Sequence, residues 1–593
     1  MRARARRRSV AVGLLTLACS LALTGCLRMP EQGPIVTIDP PSGSDTQPGT
    51  YYDPRPPTAG ASPQEIVTGF LEAMKATPIN SSVAAQYLST QAQEVWKPER
   101  ATLTYSEVNN PVGGREIRVR LVDAQHYDSR GAWTHPLDST ESTLEFPMVI
   151  EGNEWRIDAA PDALVVPGSW FDDRFERASL HFLDPTSGIL VPEPVYVPQG
   201  DQFATALVQG LLAGPPAGLE KVVRTALPPG LTLALSSVPI DKAGVADIAL
   251  EGPLGNQAEE VLSEEMVAQL AWTLRQEPRI RAMRLTLNGR PATLTEGSQA
   301  EEIGVDAGAR FDPDDLRATS DLFALRDGLL VTGQLDDLEP TTGSFGTRRF
   351  GLRSAGINLA GTTAAGVSNR GTSVLVAAVA GPETEAETLA TEVVSGATDM
   401  LPPAWDFADR LWLVDRTSFG AQVLVVVEDQ PRGLMVPGLT GKEVVSFLVS
   451  RDGSRLVAAV RGRNRDSLLV SRVQHDADGR VLRVTRAQEI DLDLEPGGRI
   501  IDIGWRSPTS VGVLTGINDD LSQVRTVAVE GAPGDLDTGG ASRIRGQATR
   551  LVSSPVEGES VFVLGRRTVT DLMNPGLQLP DLDDRITWLG YAG

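Results

Sequence analysis

The segment "VVSFLVSRDGSRLVAAVRG", Val444 to Gly462, holds two aliphatic runs joined by Arg-Asp-Gly. Asp-Gly between alternating hydrophobics is hairpin chemistry, because glycine accepts the positive φ of a tight turn. A lone hairpin leaves a sheet face bare, and what covers that face decides the fold. From about Thr319 to Gly593 the same texture returns in "AAGVSNRGTSVLVAAVAG", "LPPAWDFADRLWLVDR", "IDIGWRSPTSVGVLTG", "RLVSSPVEGESVFVLGR" and "ITWLGYAG". Aligning these segments predicts equivalent positions for Val367, Trp405, Val449, Trp505, Val552 and Trp588, at steps of 38, 44, 56, 47 and 36 residues. That spacing is close to the period of propeller blades. At least six such units would bury one another's faces where one could not, so a β-propeller is expected over 319–593, with the six anchors packed between blades.

Upstream the pattern changes to mixed helix and strand. "SPQEIVTGFLEAMKA" has Ser62 as N-cap, Pro63 in the first turn and Glu65 to close a capping box, with Ile66, Val67, Phe70, Leu71 and Met74 on one face. A second helical piece and the alternating runs "ATLTYSEV", "REIRVRLVDAQHYD" and "TLEFPMVIEGNEWRID" follow. Helices and then a curved antiparallel meander resemble the NTF2-like fold, expected over 62–177. A new unit over 178–300 runs strand, strand, helix, strand pair, helix, strand. Leu211-Leu212-Ala213-Gly214-Pro215, Leu227-Pro228-Pro229-Gly230, "VADIAL", "QLAWTLRQEP" and "LTLNGRP" make it similar to the GerMN domain of sporulation, germination and cell-envelope proteins. Residues 301–318 are expected as a linker. The fold class is therefore multi-domain, α+β followed by all-β.

The beginning of the chain carries different information. Five arginines stand within the first eight residues, followed by an apolar run from Val10 to Leu23. That run is shorter than the roughly 20 residues that span a bilayer, so residues 1–25 are expected as a cleaved signal peptide. Arg7-Arg8 followed by Ser9-Val10 matches a twin-arginine signal poorly, which favours the general secretion route. Leu23-Thr24-Gly25-Cys26 resembles the bacterial lipobox at each position. The resemblance implies cleavage between Gly25 and Cys26, a diacylglycerol on the Cys26 sulfur and a fatty acyl group such as palmitate on the freed amine. Several acyl chains, each methylene contributing about 0.8 kcal/mol, hold a protein on a membrane where one chain does so only marginally. The Pro/Gly/Ser/Thr-rich stretch that follows, completing 26–61, is expected to be an extended flexible tether.

The net charge is −23, and removal of residues 1–25 with their five arginines and no acids would take it to about −28. Such a surface repels phosphate backbones, so no nucleic-acid partner is expected, and membrane attachment rests on the lipid at Cys26. The two cysteines are Cys19, in the leader, and Cys26. Disulfides, cysteine-ligated zinc and thiol nucleophiles are thus excluded from the mature chain.

Four histidines, His126, His135, His181 and His475, are scattered over three expected domains without metal-ligand spacing. "GLTGKE", Gly438 to Glu443, lacks the first glycine of a phosphate loop and has Glu443 where Ser or Thr would bind magnesium. No nucleophile elbow occurs. The acidic clusters Phe311 to Asp315, Asp476 to Gly479 and Asp581 to Asp584 do not complete an EF-hand loop. No cofactor, no metal, no catalytic residue and no enzymatic activity are expected.

Lipobox, tether, NTF2-like domain, GerMN domain and propeller together resemble the LpqB lipoproteins of actinobacteria along essentially the full chain. The resemblance implies an extracytoplasmic, lipid-anchored protein that binds the sensor domain of the MtrB histidine kinase and modulates MtrA signalling in envelope homeostasis and division. Alternatives are a scaffold that binds an envelope polymer and a propeller enzyme that uses paired carboxylates.

Overall fold

The computed structural model describes residues 52–593, except 254–260, 295–301, 315–316, 382–389, 519, 535, 537–540 and 578. Leu23, Thr24, Gly25 and Cys26 lie outside the described residues.

The first helix, Pro63–Ala73, starts where its capping box forms. Glu65 donates its backbone N–H to the Ser62 hydroxyl at 3.3 Å, and the Glu65 carboxylate accepts the Ser62 N–H at 2.7 Å. Two otherwise orphaned donors are thereby satisfied. Its buried face, Ile66, Val67, Phe70 and Leu71, packs with Ile117, Val119 and Phe146 of the strands that follow. The expected single meander is split between two sheets. Strands Ala101–Tyr105 and Leu164–Pro167 pair parallel in one, while Glu116–Val122 and Thr143–Glu151 pair antiparallel in the other. The end of the expected tether is ordered against this domain. Pro54 and Ala61 are buried, the Tyr87 hydroxyl donates to the Arg55 carbonyl at 2.8 Å, and Gly60 N–H donates to Glu154. Proline-rich chain has little backbone entropy left to lose, so a few such contacts fix it.

In the second domain, strands Phe175–Leu183 and Leu190–Pro198 form a long antiparallel hairpin. Helices Phe203–Leu212 and Glu264–Leu274 bury Leu207, Val208, Leu211, Met266 and Leu270 in one core with it. That core also holds a sheet in which Val245–Glu251 runs parallel to Ala282–Leu287. The stretch 301–318 is more than the expected linker. Ile303–Gly304 pairs with Ala282–Met283, and Phe311 is buried with Leu183, Leu190 and Ala268. Its large apolar residues, Ile303, Val305, Phe311 and Leu316, follow neither a helix nor a strand period, so the sequence does not mark an element there.

Among the described residues the C-terminal half builds six sheets around one channel. Five have their first strand innermost: Leu352–Ile357, Ala404–Trp405, Val444–Val449, Ile500–Ser507 and Ala548–Val552. The sixth is closed by the chain's end, because Ile586–Gly590 pairs antiparallel with Leu322–Arg326. An apolar core lies between each adjacent pair of sheets, and each of the six anchors is buried in one of these cores. Two anchors are nevertheless out of phase with the rest. Val367 belongs to the second strand of its sheet, where Ile357 holds the place that Trp405 holds in the next. Trp588 is innermost but stands opposite Leu325, in the middle of the neighbouring strand. Every consecutive strand pair in a blade is a hairpin with the same texture, so alignment by texture slips by one strand. At the channel the strands crowd: a Cβ on Gly356 would stand 2.4 Å from the Pro403 carbonyl oxygen.

Candidate functional site

The innermost strands enclose a cavity of about 300 Å³ lined by 355–356, 402–404, 445–448, 501–504, 549–553, 588–591 and Gly593. Two charged side chains project into a lining that is otherwise apolar or small. Asp502 is fully employed in tying three blades together. Its Oδ1 accepts the Ser446 hydroxyl at 2.8 Å and its own neighbour Ile503 N–H at 3.0 Å, while Oδ2 accepts Leu551 N–H at 3.0 Å. Burial pushes the Asp502 carboxyl up, against the pull of Arg550 and these hydrogen bonds. The Arg550 guanidinium has no hydrogen bond or salt bridge among the described residues, and its carbon lies 5.5 Å from the centroid of the Trp588 ring. Burial pulls its guanidinium down and Asp502 opposes that. Among the described residues Asp502 is the one carboxylate lining the channel, so the carboxylate pair of the alternative reading, a propeller enzyme, is not assembled there.

A second feature is the joint between the GerMN-like hairpin and the propeller. Glu193, 4% exposed, receives a salt bridge from Arg455 at 3.0 Å and a bidentate one from Arg472. Arg455, fully buried, also donates to the Pro192 carbonyl at 2.6 Å and reaches Asp452 at 3.5 Å. Its position follows from the opening hairpin: Asp452 shapes the "RDGS" turn by accepting Ser454 N–H at 2.7 Å, and Arg455 emerges from that turn. Further along the hairpin, Arg177 bonds Glu530 at 3.1 and 3.2 Å and Thr509 at 2.8 and 3.1 Å.

The histidines separate into two kinds. His181 and His475 are buried, which pushes both down to about 3. His126 and His135 are brought together, contrary to their scattered sequence positions. They face each other across antiparallel strands with ring centroids 5.3 Å apart, and Thr134 Oγ1 lies 2.8 and 2.9 Å from their Nδ1 atoms. No cluster of three or more His, Cys, Asp or Glu fit for a metal occurs among the described residues. The acidic clusters serve turns and surface pairs: Asp476 accepts Asp478 and Arg480 N–H, Asp583 pairs with Arg585, and Asp584 pairs with Arg567. No helix among the described residues is long and apolar enough to cross a membrane.

Comparison with known families assigns each folded part. Residues 56–172 match the model of the lipoprotein LpqB N-terminal domain, 179–293 the sporulation and spore germination (Germane) model, and 328–552 the lipoprotein LpqB beta-propeller domain. The chain has the domain set of the LpqB lipoproteins. Proteins named Lipoprotein LpqB are similar along most of it: 26% identity with that of Streptomyces avermitilis, over 89% of this chain and 90% of the relative, and 26% with that of Mycobacterium tuberculosis, over 94% of each. The LpqB protein of Cutibacterium acnes is 29% identical over 50% of each chain. Among solved structures, the tandem GerMN domains of the sporulation protein GerM from Bacillus subtilis align with 22% of this chain and 46% of theirs, at 16% identity and a TM-score of 0.18. The LpqB propeller match ends at Val552, before the closing strand Ile586–Gly590.

Proposed function

We propose that this LpqB-type protein is anchored through lipid on Cys26 at the outer face of the cell membrane. There it binds the sensor domain of a membrane histidine kinase, MtrB in the family it resembles, and modulates MtrA signalling. The observation that carries the reading is the similarity to proteins named Lipoprotein LpqB over about nine-tenths of both chains. Physical chemistry supports it. An anchor on the same membrane as the kinase raises the effective concentration, so that even a weak interface is occupied. Preference for one signalling conformation then shifts the kinase by that difference in affinity.

The test is crosslinking in intact cells with the wild type and Cys26→Ala, followed by membrane fractionation and a read-out of MtrA phosphorylation. The kinase is expected among the crosslinked partners, and Cys26→Ala is expected to leave the membrane fraction and alter the signal. Unchanged fractionation and unchanged signal would sink the proposal. Recovery of cell-wall polymer instead of the kinase would replace it by the scaffold reading.

A further inference from the structure

The structure assigns a second binding site to this chain: we infer that the propeller channel holds a small molecule bearing a single carboxylate, clamped by Arg550. The argument starts from an imbalance. A guanidinium carries five N–H donors, and Arg550, half-buried on the channel, gives none of them to the protein among the described residues, so an oxyanion would satisfy donors that the fold leaves to solvent. Asp502 is the counter-charge in the channel, but three hydrogen bonds already draw on its oxygens, and no hydrogen bond or salt bridge joins it to Arg550 among the described residues. The Trp588 face, 5.5 Å from the guanidinium carbon, orients Arg550 without using its donors.

Two further donors belong to residues that line the channel. Ser553 Oγ and Trp588 Nε1 are buried without hydrogen-bond partners, and both residues line the channel. The unpaired guanidinium on the cavity calls for an acceptor-rich ligand, and Ser553 Oγ and Trp588 Nε1, closed to solvent, reach it only if the lining shifts. A hydroxyl can rotate toward such a ligand, and a planar guanidinium matches a carboxylate with two parallel bonds.

The same surroundings limit what the ligand can be. Asp502 places a negative charge in the channel, so a doubly charged phosphate is repelled more than a singly charged carboxylate. The volume of about 300 Å³ lies at the small end of ligand sites, and Val445, Leu448 and Ile501, each partly exposed, give it apolar walls for the rest of a compact molecule.

The experiment titrates the full chain with acetate, benzoate and inorganic phosphate at constant ionic strength, following calorimetry and tryptophan fluorescence. Saturable binding of a carboxylate is expected, with benzoate tighter than acetate and phosphate weakest. Arg550→Gln is expected to weaken carboxylate binding at least tenfold and Arg550→Lys less, while the exposed Arg348→Gln leaves it unchanged. Circular dichroism establishes that each variant is folded. Absence of saturable carboxylate binding to the wild type up to about 10 mM, tenfold above a weak millimolar Kd, overturns the inference whatever the variants do. Equal binding by a folded Arg550→Gln, or phosphate binding tighter than either carboxylate, overturns it too.

Discussion

Single residues in this protein do their work by being buried uncharged or buried in pairs. His181 is the simplest case: Thr273 Oγ1 stands 3.5 Å from its Nδ1, the Trp272 ring lies 6.1 Å away, and burial, followed by repulsion from Arg275, brings it down to about 3. An unfolded histidine titrates near 6.5, so between about pH 6.5 and 3 the unfolded state binds the extra proton. The stabilisation from a neutral His181 is therefore complete above pH 6.5 and is lost as pH falls, by up to about 1.4 kcal/mol per pH unit. His475 acts with the same sign. Asp314, pushed up to about 6 by burial, acts oppositely as pH falls toward 3.8, so the total slope is a difference between opposing groups. Chemical denaturation of the wild type and His181→Gln at pH 7 and pH 5 isolates one contribution. The variant is expected to lose less stability on acidification, by about 1 to 2 kcal/mol. Equal losses in the two proteins would contradict the assignment.

At the scale of elements, the ring is held by what lies between sheets. Trp405 and Trp505 are buried there, and their indole N–H groups donate to Gly356 and Val449 carbonyls of the preceding blade at 3.1 and 3.0 Å. Truncating either to alanine is expected to cost about 3 to 5 kcal/mol, seen as a lower denaturation midpoint. The closing strand is a sharper test, since Leu589 is fully buried between the first and last sheets. Leu589→Asp is expected to open the ring and expose the edge of Leu322–Arg326, read as dye binding to apolar surface and concentration-dependent association. A monomeric variant with an unchanged midpoint would show that closure matters little.

The sequence allowed the blades to be recognised because a hairpin's alternation is local. It misled at Val367 because the second and third strands of a blade alternate just as the first and second do. The capping box at Ser62 and Glu65 was readable for the same local reason. Pairing of His126 with His135, or of Ile303 with Met283, depends on register between strands, and no spacing reveals it. Asp502 and Arg550 were invisible among so many charges, since only ring closure places them in one channel.

The whole molecule turns on how the second domain meets the propeller. Glu193 with Arg455 and Arg472, and Arg177 with Glu530, are substantially buried ion pairs between the same hairpin and the ends of two blades. Phe311 and Asp314 extend the joint: Phe311 packs on the second domain, and the Asp314 carbonyl accepts a bond from Arg451 at 2.7 Å. Paired burial of this kind adds little net stability relative to an apolar joint, but removal of one partner strands the other charge at a cost of about 3 to 5 kcal/mol. That asymmetry favours the docking in which each of these charges is paired. It follows that the second domain and the propeller should unfold together, although each has its own core. Calorimetry of the wild type is expected to show them in one transition, and Glu193→Ala combined with Arg177→Ala is expected to split it in two. A single transition that merely moves to lower temperature in the double variant would mean that apolar contact alone couples them.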